Sequence, residues 1–97
     1  MRREIYRVYA EIVDANGTHN ALSGYPKTFD SRGYNNDCDK ALQRASGELS
    51  AAHSAMSKVD TRKLQIAWLI RAKTCEMLER KVIGTIPDDP GQVVTEE

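Results

Sequence analysis

The stretch that leads into the first predicted helix carries the side chains best suited to chemistry. These are Phe29, Arg32, Tyr34, Asn35 and Asn36. At such a position, free backbone N–H groups and the positive end of the helix dipole can meet an anion. Aromatic stacking on a base, with arginine on phosphate, is a common way to hold a nucleotide. The alternative reading is that Phe29 fills the core and the two asparagines only cap the helix.

Groups for catalysis or metal binding are sparse in the sequence. His19 lies beside a predicted turn and His53 on the predicted helix, and no oriented third group accompanies either of them. Cys38 and Cys75 are far apart and lack the spacing of a metal site, so we expect reduced thiols. Neither a P-loop nor a dinucleotide-binding glycine motif occurs. The sequence predicts a binding protein, with no catalytic residue, metal or cofactor.

Charge and hydropathy narrow the range of partners. Fourteen basic and fourteen acidic residues leave the 97-residue chain with a formal net charge of zero. No overall field would attract duplex nucleic acid or an anionic membrane. The longest apolar run, residues 66–70, is too short to span a bilayer, and no signal peptide is visible. We expect a cytoplasmic protein, in the bacterial host cytoplasm if the source is viral.

The first part of the chain predicts a β-hairpin. Residues 5–13 alternate in character, with Tyr6, Val8, Ala10 and Ile12 on the face predicted to meet the core. Asn16 and Gly17 tolerate the positive φ angles of a two-residue turn. A second strand over about 18–25 would then place Ile12 opposite Ala21. Pro26 ends that strand at an edge or a bend, and residues 27–34 are predicted to be an irregular connection.

One long amphipathic helix is predicted from about Asp37 to Val59, capped by Asn35 or Asn36. Its apolar stripe comprises Leu42, Ala45, Leu49, Ala52, Met56 and Val59. A second row of small residues, Gly47, Ala51 and Ala55, fits either close packing between protomers or a tight contact of the helix with the sheet. Arg44 lies on the polar face and is a candidate phosphate ligand.

The last part of the domain predicts a second hairpin. Residues 64–72 form an apolar run that fits a largely buried strand, with a partner strand over about 77–86. One helix over 63–82 is the competing assignment. Arg71 on this strand is a further candidate phosphate ligand. We therefore predict an α+β fold of ββαββ order over residues 1–87, in which an antiparallel sheet packs against one helix, and a mobile acidic tail over 88–97.

The run YRVYAEIVDANGTHNALSGYPKTFDSRGYNND, with the helix and the segment LQIAWLIRA, resembles small phage anti-Thoeris proteins. The resemblance concerns size and element order over about residues 4–86. Members of that family sequester cyclic ADP-ribose-type signals and, in some members, cyclic oligonucleotides, in pockets between subunits of an oligomer. It implies a homo-oligomer that holds a small cyclic nucleotide by stacking and by asparagine and arginine contacts. The available residues are Phe29, Asn35, Asn36, Arg44, Arg62, Trp68 and Arg71.

Two other functions remain open. The chain could be a protein-binding inhibitor of a host defence complex, of the anti-CRISPR type, that uses a sheet edge or the small-residue face of the helix. It could also be an oligomeric accessory domain without a ligand. One helix and two hairpins are too thin to form a deep cavity, so we expect recognition of a ligand or partner at the contact between copies of the chain.

Overall fold

The computed structural model describes residues 3–58 and 63–84. It is an α+β fold, as predicted, in which one α-helix accompanies an antiparallel sheet of five strands where two hairpins, or four strands, were predicted. The elements are β1 (Ile5–Val13), β2 (His19–Ala21), β3 (Lys27–Asp30), a 3₁₀-helix (Ser31–Tyr34), α1 (Cys38–Met56), β4 (Leu64–Arg71) and β5 (Glu76–Ile83). The order is therefore βββαββ, because a third strand precedes the helix.

Strand β1 is central to the sheet. It pairs with β4 on one side, and β4 pairs with the edge strand β5. On the other side, β3 pairs with the first half of β1 and β2 with the second half. All of these pairings are antiparallel. The sheet is thus four strands wide, with two short strands sharing one edge.

The helix covers one face of this sheet. Tyr6, Val8 and Ala10 of β1 are buried on that face, in agreement with the predicted alternation, and Ala67 and Leu69 of β4 lie beside them. The strand assignment for β4 and β5 is confirmed and the competing helix is wrong. The predicted end of β5 near residue 86 lies outside the described residues, and Ile83 is the last residue of the strand.

The start of α1 differs from the prediction. Asp37, and neither asparagine before it, is the N-cap, and its Oδ1 accepts a hydrogen bond of 3.1 Å from the Lys40 backbone N–H. An N-cap residue needs an extended backbone. Asp37 has φ −90° and ψ 100°, whereas Asn35 and Asn36 have φ of 57° and 64°. Their left-handed conformation closes the preceding 3₁₀-helix, which Asn35 caps at its C-terminal end.

The buried row of α1 packs on the sheet. Its members are Cys38, Ala41, Ala45, Leu49, Ala52 and Met56, which include four of the residues in the predicted stripe. Gly47, Ala51 and Ala55 are exposed, so the row of small residues is not the contact of the helix with the sheet. Val59, the last residue of the predicted stripe, lies outside the described residues. Of the helices in the described ranges, none is long and apolar enough to cross a membrane.

The first hairpin is shifted by one residue relative to the prediction. Ile12 pairs with Asn20, and Ala21 pairs with Glu11. The reason is Asp14, whose Oδ1 accepts hydrogen bonds from the backbone N–H groups of Asn16 and Thr18, at 2.9 and 3.0 Å. This side chain organises a wider turn than the two-residue turn predicted from Asn-Gly. A shift of one residue exchanges the two faces of the second strand.

Residues 27–34, predicted to be irregular, contain β3 and the 3₁₀-helix. The strand follows the Tyr25–Pro26 peptide, which is cis, and ends at Asp30. The Asp30 carboxylate accepts hydrogen bonds from Arg3 Nη2 at 2.6 Å, Arg3 Nε at 3.2 Å and the Arg32 backbone N–H at 3.0 Å. It therefore fixes the beginning of β1 to the end of β3.

This arrangement predicts an unusual titration of Asp30. The hydrogen bond from Arg3, followed by that from the Arg32 backbone, lowers the pKa of Asp30 from its ordinary value of 3.8 to about 2. A lowered carboxyl pKa adds stability above pH 3.8 that is lost as the pH falls towards 2. Carboxyl NMR should give a midpoint near 2 in the wild type and one closer to 3.8 in Arg3→Gln. An ordinary midpoint in both proteins would show that the pair does not form in solution.

Candidate functional site

The face of the sheet opposite α1 carries the side chains that the helix leaves uncovered, and we call it the open face. Successive side chains of a strand point to opposite faces, and paired residues of antiparallel strands share a face. The register therefore defines its central residues. They are Arg7, Tyr9 and Glu11 on β1, Ile66, Trp68 and Ile70 on β4, and Met77, Arg80 and Val82 on β5.

An aromatic pair lies at the centre of the open face. Tyr9 and Trp68 are cross-strand partners, and their rings stack with centroids 4.9 Å apart and an interplanar angle of 9°. Both side chains are half-buried. Aromatic pairs of this kind add about 0.5–1.5 kcal/mol beyond the area they bury. The stack joins two well-paired strands, and each ring covers one face of the other.

Two arginines flank this stack. Arg80 is the β5 partner of Trp68, and Arg7 lies on β1 two residues before Tyr9. The Arg7 Nε donates a hydrogen bond of 3.2 Å to Thr28 Oγ1 on β3. Within residues 3–58 and 63–84, no carboxylate forms a salt bridge with Arg7 or Arg80. Both guanidinium groups therefore keep hydrogen-bond donors for an anion.

The predicted cluster before the helix does not reach the open face. Phe29 is the β3 partner of Tyr6, which places it on the helix side, where it packs against the core. Arg32, Asn35 and Asn36 are exposed near the start of α1. The carboxylates of Asp37 and Asp39 already occupy that end of the helix, as cap and in the first turn. An anion there would meet like charges.

The remaining predicted site residues are scattered. Of the predicted residues within the described ranges, Trp68 is the one on the open face. Arg71 lies on the opposite face, where its guanidinium forms salt bridges with Glu4 and Glu76 at 3.4 and 3.2 Å. Arg44 is exposed on the helix, and Arg62 lies outside the described residues. The seven predicted residues that the structure describes do not form one site.

A second polar cluster tethers the chain between β2 and β3 to the helix. The Tyr25 hydroxyl donates a hydrogen bond to Glu48, and Lys27 Nζ lies 3.3 Å from the same carboxylate. Burial, assisted by this hydrogen bond, raises the pKa of Tyr25 to about 12. The groups satisfy one another, which indicates a structural role.

His19 and the two cysteines lie in different parts of the fold. His19 Nδ1 lies 2.8 Å from Glu11 Oε1 at the β2 end of the open face. Cys38 is buried, Cys75 is exposed, and neither forms a disulfide. In the described part of the chain, no three histidine, cysteine or acidic side chains are grouped as metal ligands would be.

Sequence reasoning missed Arg7, Tyr9 and Arg80 as site residues. The signal that could have found them is the alternation of β1, which already places Arg7 and Tyr9 opposite the core residues. If β1 and β4 are neighbours, the same rule predicts an aromatic pair with Trp68 on the uncovered side. That step required the pairing of distant strands, which no local pattern provides.

No protein-family model, curated protein sequence or solved structure matches this chain. The resemblance to anti-Thoeris proteins therefore stays a prediction.

Proposed function

We propose that this chain is a non-enzymatic binding protein that captures a small cyclic nucleotide on its open face and releases it chemically unchanged. The observation that carries the proposal is the Tyr9–Trp68 stack with Arg7 and Arg80 beside it. The ligand class follows the resemblance: cyclic ADP-ribose isomers or cyclic oligonucleotides. Sequestering such a signal would disarm a bacterial defence system, as a phage protein would require.

The chemistry of the open face suits a nucleotide. Base stacking on an aromatic side chain contributes about 1–3 kcal/mol per base and tolerates different bases. Arginine binds phosphate oxygens through two parallel hydrogen bonds. Arg7 and Arg80 are on strands separated by β4, so their guanidinium groups flank the stack across two strand spacings of about 4.8 Å each. A ligand with a base between phosphate groups could engage both arginines.

Charge favours a small ligand over a long strand of nucleic acid. The chain has no net charge, and Glu11 lies on the same face as the two arginines. Polyanion binding relies on many phosphate contacts and on the release of their counterions. Two arginines beside an acidic residue provide few such contacts, but they suffice for one compact anion.

Trp68 provides a direct test, because it is the single tryptophan of the chain. We expect titration with a cyclic ADP-ribose isomer, or with a cyclic dinucleotide, to change tryptophan emission until it saturates. Adenosine, which lacks phosphate, should bind more weakly. The ligand recovered after denaturation should have its original mass. Unchanged emission with both cyclic nucleotides would refute binding at this face, and a cleaved product would refute sequestration.

A protein-binding inhibitor of a host defence complex is the second candidate. It is favoured by the edge strand β5, on which Met77 and Val82 are 52% and 48% exposed. An exposed edge can accept an added strand from a partner. A competition experiment identifies the surface that a protein partner uses. A partner recovered at equal stoichiometry should be displaced by cyclic nucleotide if it binds the open face, and it should stay bound if it adds a strand to the β5 edge.

A further inference from the structure

Strand β4 has apolar side chains on both of its faces. Its sequence, LQIAWLIR, shows none of the alternation expected of a strand with one face in water. Ala67 and Leu69 lie under the helix, while Ile66, Trp68 and Ile70 lie on the open face. A strand of this composition requires cover on both sides.

The apolar character extends to the neighbouring strands of the open face. Ile5 and Tyr9 on β1 and the exposed Met77 and Val82 on β5 join the β4 residues. Three strands of 8 or 9 residues, with the short strands β2 and β3 sharing the fourth position, give a face of roughly 19 by 26 Å, or about 500 Å² in projection. The accessible area of a face exceeds its projected area, because side chains stand out from the sheet. The accessible area of the open face is therefore comparable with the roughly 800 Å² that each partner buries in a stable interface.

We propose that a second copy of this chain covers the open face, sheet against sheet, and forms a symmetric dimer. In a two-fold interface the same patch meets itself. The open face suits this arrangement because it holds both signs of charge, Arg7 and Arg80 with Glu11, so opposite charges can meet across the axis. The zero net charge of the chain adds no repulsion between copies.

A second copy would also complete the proposed ligand site, and this consequence alone rests on the proposed function. The open face by itself leaves one side of a bound base in water. Sheets that pack face to face lie about 10 Å apart. Side chains of both copies fill a layer of this thickness, so a nucleotide would enter it by displacing some of them and would then contact the Tyr9–Trp68 stack and Arg80 of both subunits.

The test compares glutamate substitutions that add the same charge to different exposed surfaces. Val82→Glu alters the open face, and Ala55→Glu alters the small-residue row on α1. Light scattering after size exclusion, without nucleotide, should give twice the 10.9 kDa chain mass for the wild type and for Ala55→Glu. Val82→Glu should give the single-chain mass, and so should Met77→Glu. Circular dichroism should confirm that every variant is folded.

Several results would overturn the dimer. One is a wild type that is monomeric at micromolar concentration. Another is dissociation of the dimer by Ala55→Glu while Val82→Glu stays dimeric. A third is a dimer that none of the substitutions dissociates, which would place the contact elsewhere, for example at the β5 edge. Failure here is distinguishable from failure of the proposed function. If the protein is monomeric but its Trp68 emission still saturates with cyclic nucleotide, the proposed function stands and the dimer is wrong. If it is dimeric but binds no cyclic nucleotide, the dimer stands and the proposed function is wrong.

Discussion

Replacing Trp68 with alanine should weaken the binding of a cyclic ADP-ribose isomer about ten- to a hundredfold. The expected loss is the roughly 1–3 kcal/mol that stacking on an aromatic side chain contributes per base. Isothermal titration calorimetry is the appropriate measurement, because the variant has no tryptophan emission. Trp68 is half-buried on the open face, outside the cluster between helix and sheet, so the variant should remain folded.

Matched variants separate stacking from other effects. Trp68→Phe keeps an aromatic ring and should recover part of the affinity. Arg80→Gln removes a guanidinium beside the stack and should both weaken binding and reduce its dependence on salt. Arg44→Gln makes the same charge change on the exposed face of the helix and should bind like the wild type. Equal affinity of Trp68→Ala and the wild type, with both folded, would exclude the open face as the nucleotide site.

Elements with a strong internal pattern could be predicted from the sequence. The burial of strand β1 alternates from Ile5 to Glu11, and its predicted and observed bounds are identical, although at its end Val13 is buried and the predicted Ile12 is only half-buried. The buried row of α1 repeats at steps of three and four residues, and Ala45, Leu49, Ala52 and Met56 are buried as predicted. In both cases the period of the element itself determines which side meets the core.

Elements defined by a distant partner could not be predicted in the same way. Strand β3 has four residues, too few to show a period, and it is a strand because Lys27 to Asp30 pair with β1. The register of β2 depends on two hydrogen bonds to the Asp14 side chain, which the Asn-Gly turn signal does not reveal. The N-cap of α1 is Asp37 and neither predicted asparagine, because the 3₁₀-helix before α1 ends at Asn35 in a left-handed conformation.

The residues predicted for a binding site were chosen by side-chain type and not by the face of the sheet, and the fold does not bring the described ones together. Phe29 and Trp68 are both aromatic, but the register places Phe29 beside Tyr6 on the helix side and Trp68 beside Tyr9 on the open face. One sheet therefore separates them. Arg71 was predicted to bind phosphate, but in the fold its guanidinium group forms salt bridges with Glu4 and Glu76. Glu4 is far from Arg71 in sequence, and Glu76 reaches it across the pairing of β4 with β5.

Replacing Leu49 with alanine should cost about 2–5 kcal/mol of unfolding free energy, because the site cannot collapse fully around the deleted atoms. Leu49 is fully buried at the centre of the cluster that joins α1 to the sheet. Small domains have about 5–15 kcal/mol in total. Urea denaturation should therefore show a much lower midpoint with an unchanged slope. Leu42→Ala, at a half-buried position of the same helix, should cost less.

The proposed dimer changes how this measurement is designed. Association of folded chains raises apparent stability by mass action, so the midpoint of a dimer depends on protein concentration. Making Leu49→Ala in the Val82→Glu background removes that dependence and leaves the contact between α1 and the sheet as the remaining variable. A loss of similar size in both backgrounds means that the two faces of the sheet contribute independently. A negligible loss in both would contradict the packing of α1 on the sheet, on which the definition of the open face depends.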